Sequence, residues 1–191
     1  MFLVTSFKLE PAVKKKVLIG IAVVGAILLT AAVGFFLFFL SQFSLYRDPS
    51  SGFSMKYPTQ WKVLANQGGA AVVFVSPKET ALDTFQENVN ITIQPVPPHL
   101  ATLKSFSDKI IQQMTAVFQN MKIIESKNVE FGGRPGHRML FATEKPQPIK
   151  ILNVWVIKGD QAYILTYMAM TSRYQTYLSQ VQMMIHSFQL K

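Results

Sequence analysis

Few side chains in this chain are of the types that do chemistry. There is no cysteine, and the three histidines, His99, His137 and His186, are far apart in the sequence. None of them is part of an HxxxH or HExxH spacing, and no P-loop, GxGxxG or GxSxG sequence occurs. We therefore predict no catalytic residue, no cofactor-binding residue and no metal ligand, and we do not expect an enzyme.

The best candidate for binding is a turn that carries two arginines and a histidine. Residues 132–136 read Gly-Gly-Arg-Pro-Gly, which predicts a compact turn, and His137 and Arg138 follow it. Arg134, His137 and Arg138 are our candidate partner-binding residues, because clustered arginines bind acidic proteins and anionic headgroups. The alternative, which we keep open, is an ordinary solvated hairpin.

These residues follow a long apolar segment. Residues 17–40 carry no charge, and Thr30 is their only polar residue. As a helix they would extend roughly 36 Å, enough to cross a hydrocarbon core of about 30 Å. The run is longer than the apolar region of a signal peptide and lacks an Ala-x-Ala cleavage pattern, so we expect an uncleaved signal anchor.

The distribution of basic residues predicts the orientation of this anchor. Four lysines precede the anchor: Lys8, Lys14, Lys15 and Lys16. In the twenty residues after it, the only basic residues are Arg47 and Lys56. Basic residues stay in the cytoplasm. We expect a single-pass protein of the cell membrane with a cytoplasmic N-terminus and an extracytoplasmic C-terminal domain.

One face of the apolar segment consists of small residues at successive i+4 positions: Ala22, Ala26, Thr30 and Gly34. Small residues let two membrane helices approach closely, so this stripe is a candidate helix-packing face. The other interpretation is that alanine and glycine are simply frequent in membrane helices.

The segments define the domain organisation that we expect. A basic cytoplasmic tail covers residues 1–16, the membrane helix 17–40, a short stalk 41–52 and one globular domain 53–191. From Ser41 onward there are 15 Lys and Arg against 9 Asp and Glu, a net charge of +6. The basic residues are scattered, without an Arg-rich helix or an aromatic RNA-binding motif, so we expect no nucleic-acid partner.

The apolar periodicity changes along the domain. Alternating or continuous apolar runs predict strands over residues 53–57, 61–64, 71–75, 89–94, 123–131, 138–143, 149–157 and 163–170. Helical spacing predicts a helix from Leu103 to Met121, capped by Ser105 or Ser107, and a C-terminal helix from Tyr174 to Phe188. We therefore expect the α+β class: an α/β/α sandwich with a mostly antiparallel sheet of about six strands, preceded by one transmembrane helix.

Three segments resemble the PsbP-like domain family. Residues 52–61, Gly-Phe-Ser-Met-Lys-Tyr-Pro-Thr-Gln-Trp, match its opening pattern; residues 131–138 resemble its mid-domain turn, and residues 162–188 its ending. The superfamily includes the extrinsic PsbP protein of photosystem II, DcrB-type lipoproteins and a Ran-binding nuclear import factor. The resemblance implies the sandwich fold and a non-enzymatic accessory role, because such proteins act by docking.

The resemblance and the anchor together predict the function. We expect a membrane-anchored binding or assembly module whose partners are the bilayer and another membrane or envelope protein. A first alternative is an accessory protein of the photosystem II oxygen-evolving complex, for which the resemblance implies calcium binding. The uncleaved helix departs from the cleaved signal of photosynthetic members. A second alternative is a structural subunit of an envelope secretion or transport complex.

Overall fold

The computed structural model describes residues 11–81, 83–118 and 120–191, and the chain divides into two compact units with a boundary between Gln42 and Phe43. Residues 1–10 of the predicted basic tail, which include Lys8, therefore lie outside the described residues. The rest of that tail, from Pro11, belongs to the first helix.

The first unit is one long helix, α1 (Pro11–Ser41). Its stretch from Leu18 to Phe38 is long and apolar enough to cross a membrane and is not buried by any other part of the structure. Helix α1 is therefore a candidate membrane span, as the sequence predicts.

Among its described residues, the second unit contains two further helices and ten strands. The helices are α2 (Leu103–Val117) and α3 (Tyr174–Ser187), and a short 3-10 turn covers Pro98–Leu100. The strands are β1 (Phe43–Asp48), β2 (Phe53–Pro58), β3 (Lys62–Gln67), β4 (Ala70–Val75), β5 (Asn88–Pro95), β6 (Lys122–Phe131), β7 (Arg134–Thr143), β8 (Ile149–Lys158), β9 (Gln161–Met170) and β10 (Gln189–Leu190).

Seven strands form the main sheet, in the order β3-β4-β5-β9-β8-β7-β6, and every neighbouring pair is antiparallel. Helix α2 packs on one face through Phe106 and Ile110, and α3 packs on the other through Val181 and Met184. This is the predicted α/β/α sandwich. The central strands β8 and β9 are buried on both faces, which explains why apolar residues occupy both their odd-numbered and their even-numbered positions.

A second sheet of three strands, in the order β1-β2-β10, lies on the α3 side, where β2 contacts α3. The segment 41–52, predicted as a stalk, is therefore not a stalk. Residues 43–48 form β1, which pairs with β2 from Phe43↔Pro58 to Asp48↔Phe53. Its Tyr46 packs against Phe53 and Phe74, with ring centroids 5.9 and 5.5 Å apart. The folded domain thus begins about ten residues earlier than expected.

The aromatic residues of the opening and closing motifs are structural. Trp61 and Phe188 are buried, and the Trp61 Nε1 donates a hydrogen bond to Gln180 Oε1 of α3 at 3.1 Å. Phe188 stacks on Phe53 and on Phe131. These contacts join β2, β6 and α3 into one core.

Candidate functional site

The candidate residues lie on the hairpin formed by β6 and β7. Its turn consists of Gly132 and Gly133 alone, with φ of +61° and +73°, a conformation that favours glycine. The sequence predicts a turn that carries Arg134 and His137 and a strand that begins at Arg138, but all three residues belong to strand β7. Because successive side chains of a strand point to opposite faces, His137 and Arg138 cannot form one cluster.

His137 lies on the α2 face of the sheet. Its ring stacks on Trp155 with centroids 4.9 Å apart, and Trp155 Nε1 donates to Ser107 Oγ of α2. The His137 Nδ1 lies 2.9 Å from Asn128 Oδ1, and its Nε2 lies 2.9 Å from Ser126 Oγ. A neutral imidazole satisfies both bonds when Nδ1–H donates to Asn128 and Nε2 accepts from the Ser126 hydroxyl.

Electrostatics agree with a neutral His137. Partial burial lowers the pKa of His137 below its ordinary value, although the negative charge of Asp108 on α2 opposes this effect. The ring is therefore held in place by stacking and by two hydrogen bonds that suit its uncharged form.

Sequence reasoning missed Ser126 and Asn128. They lie on β6 and reach His137 across the hairpin, in the registers Ser126↔Met139 and Asn128↔His137. A serine, a histidine and an amide in this order is an arrangement that can also activate a nucleophile. Here Ser126 and Asn128 are exposed on the outermost strand. We interpret the three residues as a polar clamp that fixes the imidazole against Trp155.

Arg138 lies on the α3 face and is already paired. Its Nε donates to Glu125 Oε1 at 2.6 Å, and Lys127 Nζ lies 3.5 Å from the same oxygen. Burial works to raise the pKa of the Glu125 carboxyl, but the hydrogen bond from Arg138 and the charges of Arg138 and Lys127 hold it below its ordinary value. Two cations thus share one carboxylate on this side of the hairpin.

Arg134 differs from Arg138 in its surroundings. It opens β7 beside the glycine turn and is exposed. Within the described part of the chain its side chain forms no hydrogen bond or ion pair. Arg134 and the exposed lysines Lys122 and Lys127 therefore supply the accessible positive charge of the hairpin.

A cleft of about 360 Å³ lies between the hairpin and the C-terminal end of α3. Arg138 and His186 are among its lining residues, together with several apolar side chains. We call it the α3 cleft. His186, which the sequence placed on the last helix without a role, thus shares a cavity with Arg138.

The small-residue stripe lies on α1. Ala22, Ala26, Thr30 and Gly34 are all exposed. The Thr30 hydroxyl donates within its own helix, to Ala26 O at 3.1 Å and to Ile27 O at 2.9 Å. The stripe therefore presents no unsatisfied polar group, and close backbone approach is the property it offers to a second helix.

Carboxylates also line a cleft of about 290 Å³ beside the loop after β4, namely Glu79, Asp83 and Glu87. Glu79 forms an ion pair with Arg173, and Asp83 accepts from the backbone of Phe85. In the described ranges, no group of three or more histidine, aspartate or glutamate side chains is arranged to hold a metal ion.

The fold and these surfaces define an α+β sandwich domain that follows one apolar helix. The chain belongs to the PsbP family, whose model matches residues 41–190. No curated protein matches the chain.

Solved structures share the fold. The solution structure of cyanobacterial PsbP from Synechocystis sp. PCC 6803 is 16% identical, with a TM-score of 0.59, and the match covers 78% of this chain and 93% of that one. The Ran-binding protein Mog1p of Saccharomyces cerevisiae is 8% identical, with a TM-score of 0.55 and coverage of 78% and 95%. LpqN of Mycobacterium tuberculosis, described as involved in cell envelope biogenesis, is 11% identical, with a TM-score of 0.52 and coverage of 78% and 91%.

Proposed function

We propose that this protein is a membrane-anchored accessory module whose PsbP domain docks on another membrane or envelope protein at the non-cytoplasmic side. The observation that carries the proposal is the joining of a candidate membrane span, Leu18–Phe38, to a complete PsbP sandwich that begins at Phe43. Four residues separate the two along the chain. A link this short keeps the domain at the membrane surface, where its partners would be.

Two further observations support a docking role. Mog1p is described as a Ran-binding protein and LpqN as a protein of cell envelope biogenesis, so the fold occurs in binding and envelope proteins. In this chain, two of the candidate polar residues take part in structural contacts: His137 in the polar clamp and Arg138 with Glu125. These contacts support a docking role without catalysis.

The docking charge comes from the hairpin. Arg134 and Lys127 are exposed there, and a partner with an acidic surface would meet both. Arg138 contributes less to this contact than the sequence predicts, because its Nε is paired with Glu125 and its side chain is largely covered. His137 contributes by holding the hairpin against Trp155 on the sheet.

Orientation is tested by single-cysteine labelling, for which the cysteine-free chain has no background. Ser6→Cys marks the segment before the anchor, and Gln113→Cys marks an exposed position of α2. In intact cells a membrane-impermeant maleimide should label Gln113→Cys at once and Ser6→Cys only after permeabilisation. The reverse pattern would place the domain in the cytoplasm and overturn the proposed location.

Docking is tested by crosslinking in native membranes, followed by affinity purification. The doubly reversed variant Arg134→Glu with Lys127→Glu should recover less of the crosslinked partner, and the loss should be larger at low salt because exposed charges are screened at higher ionic strength. The matched control is Lys109→Glu, which reverses an exposed charge on α2. Equal recovery from the hairpin variant and the wild type would exclude the hairpin as the docking surface.

The stripe on α1 favours a second candidate function, a structural subunit of an envelope complex held together by its anchor. Ala26→Leu and Gly34→Leu should then disrupt assembly and leave insertion intact, because leucine is apolar but too bulky for close backbone contact. Under the first proposal, the same substitutions leave assembly unchanged.

A further inference from the structure

The α3 cleft combines an apolar lining with an accessible cation. Val129 and Phe131 of β6, Val154 of β8, and Ile185 and Phe188 at the end of α3 supply its apolar side chains. Its volume of about 360 Å³ lies within the range of small-molecule sites. The cleft is therefore large enough for an organic ligand and is lined as such sites usually are.

The walls of the cleft are preformed. Phe131 and Phe188 stack with ring centroids 4.4 Å apart and planes inclined by 14°, and Phe188 also stacks on the buried Phe53. At Gly132 a Cβ atom would lie 3.1 Å from Phe188 Cδ1, so the glycine turn closes tightly over these rings. Because close contacts hold these aromatic rings in place, the rings cannot move into the cleft and close it.

The positive charge of the cleft comes from Arg138. A guanidinium has five N–H donors, and in the described part of the chain the Arg138 side chain uses one of them, Nε, toward Glu125. Its side chain is 20% exposed. Lys127 also lies close to Glu125. The group formed by Arg138, Lys127 and Glu125 therefore carries a net charge of +1.

A second polar residue lines the cleft at α3. The His186 Nδ1 lies 2.7 Å from the backbone oxygen of Gln182, so Nδ1–H donates within the helix and Nε2 points elsewhere. His186 is exposed and adds no negative charge. Glu130 also lines the cleft, but its neighbours Val129 and Phe131 pack on the α3 side, so strand alternation directs the Glu130 carboxylate to the opposite face of β6. The polar side chains that face the cleft, Arg138 and His186, thus favour an anion over a cation.

We propose that the α3 cleft binds a small organic carboxylate with an apolar tail, its carboxylate on the free N–H groups of Arg138 and its tail against Val129, Ile185 and Phe188. Arginine binds carboxylates through paired, charge-assisted hydrogen bonds. The apolar lining supplies the remaining affinity. Neither of the proposed docking charges, Arg134 and Lys127, lines the cleft, so a binding test of the cleft is separate from the docking test.

A fluorinated phenylpropanoate serves as the probe and its neutral amide as the matched control ligand. The full chain is placed in nanodiscs of zwitterionic phospholipid, and protein-free nanodiscs supply the background. Fluorine NMR should show line broadening of the acid by the protein beyond that background, and little broadening of the amide. Equal broadening of acid and amide, or none of either, would overturn the proposal.

Three variants locate the site. Arg138→Gln removes the charge that lines the cleft, Val129→Trp fills the apolar space from an edge strand, and Lys109→Gln removes an equal charge on α2, away from the cleft. Arg138→Gln and Val129→Trp should each weaken binding by roughly tenfold or more, whereas Lys109→Gln should change it by much less. Thermal unfolding checks that each variant is folded.

If Arg138→Gln does not fold, Arg138→Lys takes its place, because it keeps the charge and loses the paired geometry. Wild-type affinity in Val129→Trp, or the same affinity in the arginine variant and Lys109→Gln, would show that the anion binds elsewhere and that the proposal is wrong.

Discussion

At the scale of single residues, strand alternation decides what the candidate side chains do. His137 and Arg138 are neighbours in the sequence, but one packs on Trp155 at the α2 face and the other pairs with Glu125 at the α3 face. Their roles therefore separate: His137 stabilises the hairpin, and Arg138 provides charge in a cleft. Of the three candidate residues, Arg134 is the one that is exposed.

The first prediction at this scale concerns the titration of His137. Its pKa is lowered in the folded state by burial, whereas an unfolded chain has a histidine pKa of about 6.5. The unfolded state therefore binds the proton first as the pH falls. The stability that this residue contributes is present above pH 6.5 and is lost as the pH falls through the folded pKa.

NMR titration of the imidazole should give a midpoint below 6.5. The variant Asn128→Asp should raise that midpoint, because it places a carboxylate beside Nδ1 and favours the charged ring. A wild-type midpoint at or above 6.5 would contradict the proposed clamp around a neutral imidazole.

At the scale of elements, local hydrogen bonds set where helices begin and how strands turn. Helix α2 was expected to be capped by Ser105 or Ser107. Instead Thr102 is the N-cap: its Oγ1 accepts from the Ser105 backbone N–H at 3.1 Å. Ser107 is buried and accepts from Trp155. The cap therefore lies one turn earlier than predicted, and the serine assigned to it serves the core.

The helix cap can be tested by substitution. Thr102→Ala should destabilise the domain by about 1 kcal/mol, since the Ser105 N–H loses its partner. For a domain of this size, that corresponds to a fall of about 2–4 °C in melting temperature. The matched control is Thr115→Ala at an exposed position in the last turn of α2, where alanine has the higher helix propensity and should not destabilise. Equal melting of both variants would refute the assignment of the cap.

At the scale of the whole molecule, the segment after the anchor is part of the fold. Strand β1 pairs along its entire length with β2, and Tyr46 covers the aromatic rings of Phe53 and Phe74. Four residues therefore separate the candidate membrane span, Leu18–Phe38, from the domain along the chain.

Truncation tests where the domain begins. A soluble fragment that starts at Phe43 should fold cooperatively, because it contains all strands of both sheets. A fragment that starts at Phe53 loses β1 and should be less stable by about 3 kcal/mol or more, as large buried aromatic contacts are lost. Circular dichroism during heating measures the melting temperature of each fragment. Equal melting temperatures would show that residues 43–52 are a stalk after all.

Much of this architecture follows from local patterns in the sequence. Helix α1 is predicted by an uncharged run of sufficient length, because a bilayer has a fixed thickness. The strands, α2 and α3 follow from apolar periodicity, and the sandwich class follows from the number of amphipathic elements that must cover each other. Three motifs in order, the first of them around Tyr57, Pro58 and Trp61, together indicate the PsbP family, which the family match confirms.

Other features were decided by the tertiary structure alone. Residues 43–48 read as a stalk because they are short and half polar, and they become a strand only through pairing with β2. Ser126 and Asn128 reach His137, and Glu125 reaches Arg138, through the register of β6 on β7, which includes an irregularity between Ile123 and Glu125. The α3 cleft requires residues more than fifty positions apart. Such contacts depend on which strands pair and in what register, and a local pattern of apolar residues does not contain that information.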